Sequence, residues 1–176
     1  MQATESDKSR QLRFERIVGT YREDLFRYAY WLNRNRELAE DVVQDALLRA
    51  WRSLDSLRED AAAKPWLLTI VRRENARHFE RKRLETLDID ELHQAQQAEI
   101  AHHENADIDD LRQGMLELAD EYREPLVLQV LMGFSTQEIA DVMELKSGAV
   151  LTRLHRARLQ LKKILTPDSS ATAEHV

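Results

Sequence analysis

An all-α protein made of two small helical domains is predicted by three features of this sequence. Apolar residues recur at helical spacing over most of its length, and no stretch alternates with the two-residue period of a strand. In 176 residues there are only 4 glycines and 3 prolines, too few for a turn-rich β fold. At 43% apolar residues, the chain can build a core. It has no cysteine, which excludes disulfides, thiolate zinc sites and cysteine nucleophiles together. The longest apolar runs, such as 66–71, fall far short of the roughly 18 residues that span a bilayer. The polar stretch 1–10 has no signal-peptide core, so a cytoplasmic protein without membrane insertion is expected.

The elements follow in order. In 11–32, Phe14, Ile17, Val18, Tyr21, Leu25, Tyr28, Ala29 and Leu32 recur at three and four, predicting a helix. The polar break 33–36 ends it, and Asn35 is a suitable N-cap for the next. That helix, about 36–57, places Val43, Ala46, Leu47, Ala50 and Leu54 on one face. A polar connector is expected over 53–63. Pro65 suits the first turn of a third helix running to about Arg83, with Trp66, Ile70, Ala76 or Phe79 available to the core. Residues 11–83 thus form the first domain, and 1–10 are expected to be disordered. Periodicity is weak through 84–106, which is expected to be a flexible acidic linker. It returns at 108–118 and 122–132, opening a second domain over 107–165, with 166–176 a disordered tail.

The net charge of −6 hides a block structure. Residues 85–110 hold nine acids and no Lys or Arg; 72–83 carry a net +4, and 146–163 hold six bases and no acid. Two basic helical segments flanking an acidic connector suit a polyanionic partner better than the total does.

The sharpest local signal lies in 135–165. Ser135 can cap a helix, and Glu138 completes a capping box. Ile139, Ala140, Val142 and Met143 give that helix its apolar face. After a short turn, a longer helix starting near Gly148 has core positions Val150, Leu154, Ala157, Leu161 and Leu165. Its opposite face presents Gly148, Thr152, His155, Arg156 and Lys163. A short helix, a tight turn and a longer basic helix read as a helix-turn-helix whose second helix enters the major groove. There, Thr152 and His155 would meet base edges, while Arg153, Arg156 and Lys163 would pair phosphates. The competing reading is an ordinary hairpin with a basic surface.

With both halves read, the chain resembles the extracytoplasmic-function (ECF) sigma factors, the two-domain minimal group of the bacterial sigma-70 family, over about 14–165. Three stretches carry the resemblance: 38–51, LAEDVVQDALLRAW; Pro65-Trp66-Leu67 with the basic run to Arg83; and 122–128 through 153–158. It implies a subunit, not an enzyme, that needs no cofactor. The subunit docks on core RNA polymerase, through its β′ and β subunits, and directs initiation at chosen promoters. The docking residues implied are Asp41, Gln44, Asp45, Leu48 and Arg52. An exposed leucine ringed by acids and an amide fits a protein interface. The −10 element would be read and opened by Lys64, Trp66, Arg72, Arg73, Arg77, His78 and Arg81, whose cations and aromatics suit single-stranded DNA. An unstacked base would be captured near the 53–64 loop. The −35 element would fall to Ser135, Thr136, Gly148, Leu151, Thr152, Arg153, His155 and Arg156. The acidic linker would mimic RNA inside the polymerase, and an anti-sigma factor would hold the free protein inactive.

Departures from the pattern are local. Asp60-Ala61-Ala62-Ala63 stands where Gly is frequent, Pro65 where Thr is, Arg73 where Asn is, and Leu151 where a cation is usual. Altered −10 and −35 preferences are expected. The competing function is a stand-alone helix-turn-helix regulator, which would need no polymerase-docking face. His93, His102, His103 and Glu104 are the only metal candidates; adjacent histidines do not share a helical face, so no metal is expected.

Overall fold

The computed structural model describes residues 2–86 and 106–166. Seven α-helices occur among them, with no strand. The chain divides into two units, 1–98 and 99–176. Among the described residues, no helix is long and apolar enough to cross a membrane.

The first unit packs α1 (Gln2–Asn33), α2 (Arg36–Arg52) and α3 (Ala63–Thr86) pairwise against one another. Its core holds Ile17, Leu25, Tyr28 and Ala29 of α1, Val42, Val43 and Ala46 of α2, and Leu67, Leu68 and Val71 of α3. The reversal between α1 and α2 is local chemistry. Arg34 turns the chain at a φ of 55°, its N–H donating to the Tyr30 carbonyl at 2.7 Å. Asn35 then caps α2 by accepting from the Leu38 N–H at 2.8 Å, as its sequence position suggested.

Three expectations are corrected here. α1 begins at Gln2, so the stretch expected to be disordered is helical; Arg10 anchors it by donating to the Trp51 carbonyl at 2.7 Å and stacking over the Trp51 ring at 4.5 Å. The 53–63 connector is not simply polar. It folds into two 3-10 turns, Leu54–Ser56 and Asp60–Ala62, and buries Leu54, Leu57 and Ala63. Ala76 and Phe79, offered to the core, are exposed. They lie beyond Val71, the last buried apolar residue of α3 among those whose burial is described, where the basic half of the helix runs on.

The charged seam between α2 and α3 was not foreseen. Glu74 is only 2% exposed, yet it carries a carboxylate that bridges Arg49 of α2 and Arg77 of α3, the latter at 2.5 Å. One helical turn away, Asp45 of α2 meets the His78 ring at 3.1 Å. The pairing order reverses between the helices, so they run antiparallel along this seam.

In the second unit, α5 (Asp120–Val130), α6 (Thr136–Met143) and α4 (Ala106–Glu117) all pack on α7 (Ser147–Leu165). Gly114 lets α4 approach α7 closely: a Cβ there would lie 2.9 Å from the Leu161 side chain. Arg123, buried to the same extent as Glu74, donates to the Leu118 carbonyl at 2.8 Å and bonds Asp120. It thereby satisfies an acceptor just past the C-terminus of α4. Of the expected α7 core positions, Val150, Leu154 and Ala157 are buried, Leu161 is half-buried and Leu165 is exposed.

The seam predicts an asymmetry. Glu74→Gln removes the charge but keeps the shape and should cost about 1–2 kcal/mol. Replacing Arg49 and Arg77 together by Ala strands a buried carboxylate and should cost about 3–5 kcal/mol. All three tryptophans (Trp31, Trp51, Trp66) lie in the first unit, so urea titration followed by their fluorescence reads this unit alone. Equal costs would contradict the assignment.

Candidate nucleic-acid and protein interfaces

The outer face of α2 is the first candidate. With Ala39, Val42, Val43, Ala46 and Ala50 turned inward, Asp41, Gln44, Leu48 and Arg52 stand exposed on one stripe. Leu48 is 53% exposed and is not among the buried core residues of the unit. Asp45 shares the stripe but is half-buried by its bond to His78.

The second candidate is α3 with the segment before it. Trp66 and Arg72 are half-buried, and Arg73 and Arg81 are exposed. Three other expected DNA-facing residues are engaged inside the unit: Lys64 pairs Asp24 at 2.8 Å, Arg77 pairs Glu74, and His78 meets Asp45. The exposed aromatic on this helix is Phe79.

The sequence reading missed what holds the 51–62 segment. α1 lays Arg10, Arg13 and Arg16 along it. Arg13 donates to Asp60 at 2.8 Å and to the Leu57 carbonyl at 2.7 Å. Arg16 reaches the second Asp60 oxygen at 2.5 Å, and Arg10 approaches Asp55 at 3.4 Å. Phe14 packs edge-on against Trp51, 5.2 Å between centroids. The hydrogen bond from Arg13 first, and that from Arg16 after it, hold the Asp60 carboxyl below the usual aspartate range. An arginine every third residue on α1 was the available signal. Its partner lies 47 residues on, which no periodicity reveals.

The third candidate is the helix-turn-helix. The Ser135 and Glu138 capping box is complete: Ser135 donates its N–H to Glu138 at 2.8 Å, and the Glu138 N–H returns a bond to the Ser135 hydroxyl at 3.3 Å. Thr136 is half-buried at the start of α6. Glu144 turns the chain at a φ of 56°, and the Leu145 N–H closes on the Ala140 carbonyl at 2.9 Å. Ser147 ties the start of α7 back to Gln137 of α6 at 2.8 Å. Gly148, Leu151, Thr152, His155, Arg156 and Lys163 are exposed on α7, and Arg153 is half-buried. Thr152 donates its hydroxyl hydrogen to the Gly148 carbonyl at 3.0 Å. His93, His102, His103 and Glu104 lie outside the described residues.

Comparison with known proteins follows these surfaces. The sigma-70 region 2 family model matches residues 17–85 and the sigma-70 region 4 model matches 108–161. The ECF RNA polymerase sigma factor EcfG of Rhodopseudomonas palustris is 30% identical over 147 residues, covering 81% of this chain and 80% of that one. The chain belongs to the ECF sigma factors. It is therefore an RNA polymerase sigma factor directing promoter-specific initiation, and the stand-alone regulator is set aside because region 2 is present beside the helix-turn-helix. YlaC of Bacillus subtilis is 28% identical to this sigma factor over 158 residues, 86% of this chain and 91% of its own. Among solved structures, RpoE of Bartonella quintana, in complex with the anti-sigma factor NepR, superposes with a TM-score of 0.75 at 28% identity, covering 88% of this chain and 98% of that one. Arg10, Arg13 and Arg16 precede the region 2 match.

The Asp60 latch has a defined pH sign. Its folded-state pKa is lowered, so its contribution is present above the ordinary aspartate pKa and is lost as pH falls through the lowered value. The turn amides of Ser56, Leu57 and Ala62 should therefore be protected at neutral pH and lose protection in acid, after correction for intrinsic exchange rates. In Asp60→Ala they should exchange fast at both. Hydrogen exchange read by NMR checks this, and protection that ignores both changes would remove the latch.

Proposed function

We propose that the three surfaces divide the work of initiation as follows. The first unit docks on core RNA polymerase, including its β′ subunit, through Asp41, Gln44, Leu48 and Arg52, with Asp45 lending its edge. α3 and the 51–62 segment engage the −10 element: Arg73 and Arg81 neutralise backbone, while Trp66 and Phe79 offer surfaces to unstacked bases. Lys64, Arg72, Arg77 and His78 complete that face. Lys64, Arg77 and His78 act from positions fixed by Asp24, Glu74 and Asp45.

The second unit reads the −35 element through α7. The observation that carries this reading is the exposed α7 face, which bears Arg156 and Lys163 and no acid, behind a fully capped α6. Because Thr152 gives its hydrogen to Gly148, its oxygen is left as an acceptor, suited to an adenine N6 or cytosine N4 amino group. Gly148 has open space where a side chain would begin, so the phosphate backbone can come close. Ser135 and Thr136 place the start of α6 beside the groove, and Ser135 itself serves the cap. The chain contributes recognition, while nucleotide joining belongs to the polymerase; it acts in the cytoplasm. The RpoE and NepR complex supports an anti-sigma factor as its inhibitor.

Run-off transcription with purified core polymerase tests the whole reading: promoter-dependent transcripts should appear only with the chain added. Leu48→Ala should weaken core binding at least tenfold while thermal melting shifts by less than about 2 °C, as expected for an exposed residue. A large fall in melting temperature with binding intact would place Leu48 in the fold. On α7, His155→Ala should relax preference at one −35 position at a cost of about 1–3 kcal/mol. Arg156→Ala should weaken all −35 variants alike and reduce the salt slope by about one. A binding matrix of −35 variants measured with both holoenzymes separates these outcomes; the reverse pattern would overturn the helix phase.

A further inference from the structure

Three exposed leucines of α7, Leu151, Leu159 and Leu165, have side chains with no role in hydrogen bonding or charge, and Leu151 is the most exposed of them. Leu151 is 58% exposed, at the fifth residue of the helix, beside the exposed Gly148, Thr152 and His155. It stands about 100° around the helix from the buried Val150, so it cannot reach the core without unwinding α7. Water is a poor solvent for such a side chain, and burial against another apolar group is its favourable fate. What covers it is decided by its neighbours. From Lys146 to Lys163 the chain carries six bases and no acid, so the complementary surface is anionic. On duplex DNA the major groove displays a single apolar base substituent, the C5 methyl of thymine.

We infer that Leu151 is a specificity-determining residue that reads a thymine of the −35 element by covering its C5 methyl. The inference rests on the reading of α7 as the −35 helix given above. A leucine has no donor or acceptor with which to tell G, C and A apart. It discriminates through contact area alone, and one methyl removed from water is worth about fourfold in affinity. The position is also the one where N-terminal recognition-helix residues reach base edges. Leu159 supplies an internal control. It is 50% exposed on the same helix, but eight residues on, about 12 Å along the axis and about 80° around it.

The test uses holoenzyme formed from the full chain and core polymerase. It selects from a duplex promoter library randomised in the −35 segment and prepared in two forms, one with thymine and one with uracil, which lacks only the methyl. The wild-type holoenzyme should enrich thymine at one −35 position about fourfold more strongly than it enriches uracil there. Leu151→Ala should abolish that difference, and Leu159→Ala should keep it. Leu151→Lys should move the preference at that position toward guanine, whose O6 and N7 accept from an ammonium. Equal enrichment of thymine and uracil by the wild type, or a difference that survives Leu151→Ala, would falsify the inference while leaving α7 as a −35 reader. Absence of any selection in the −35 segment would overturn both.

Discussion

A single buried carboxylate organises the first unit. Glu74 lies on α3 against α2, where desolvation alone would expel a charge, and it stays because Arg49 and Arg77 both reach it. Everything on the two outer faces depends on that junction. Arg49 comes from the helix that carries Leu48, and Arg77 from the helix that carries the basic run to Arg83. Asp45 and His78 repeat the link one turn away. The face proposed for polymerase and the face proposed for DNA are thus two sides of one clamped helix pair, and neither helix can rotate about its axis without breaking bonds to the other.

The second unit solves a different problem with the same economy. Its helices are short, so their ends matter more than their lengths. The Ser135 and Glu138 box fixes where α6 starts, Glu144 in a left-handed conformation fixes where it stops, and Arg123 closes the end of α4. The recognition helix is aimed by these terminal bonds together with the packing of Val150, Leu154 and Ala157.

How much of this the sequence disclosed follows from the range of each interaction. The capping box, the Asn35 cap and the α7 stripe were legible because their partners lie within four residues, the reach of helical periodicity. The exposed stripe of Leu48 with Asp41 and Gln44 was legible for the same reason. The fold of 53–63 was not. Periodicity extends the α2 apolar face to Leu54, but that helix stops at Arg52 and a 3-10 turn buries Leu54 instead, while Leu57 sits among charged residues. The bonds of Asp45 to His78, of Glu74 to Arg49 and of Asp60 to Arg13 and Arg16 were illegible because each joins residues far apart in the chain. Three residues that sequence alone assigns to DNA, Lys64, Arg77 and His78, therefore prove to have acidic partners at home. Phe79 was misjudged because aromatic residues were credited to the core without asking where the core ends.

Arg10, Arg13 and Arg16 of α1 lie upstream of the segment that defines the family. A chain trimmed to begin at Ile17 would keep every residue of that signature, along with most of the apolar core. It would lose the three guanidinium groups that grip 51–60. Such a trimmed chain would pass as an intact region 2 by sequence, while leaving the 51–62 segment unheld. By the same logic, a few substitutions at Arg10, Arg13 and Arg16 would loosen the 51–62 segment without altering any residue inside the family signature. The stretch 10–16 is a tuning screw set outside the segment it adjusts.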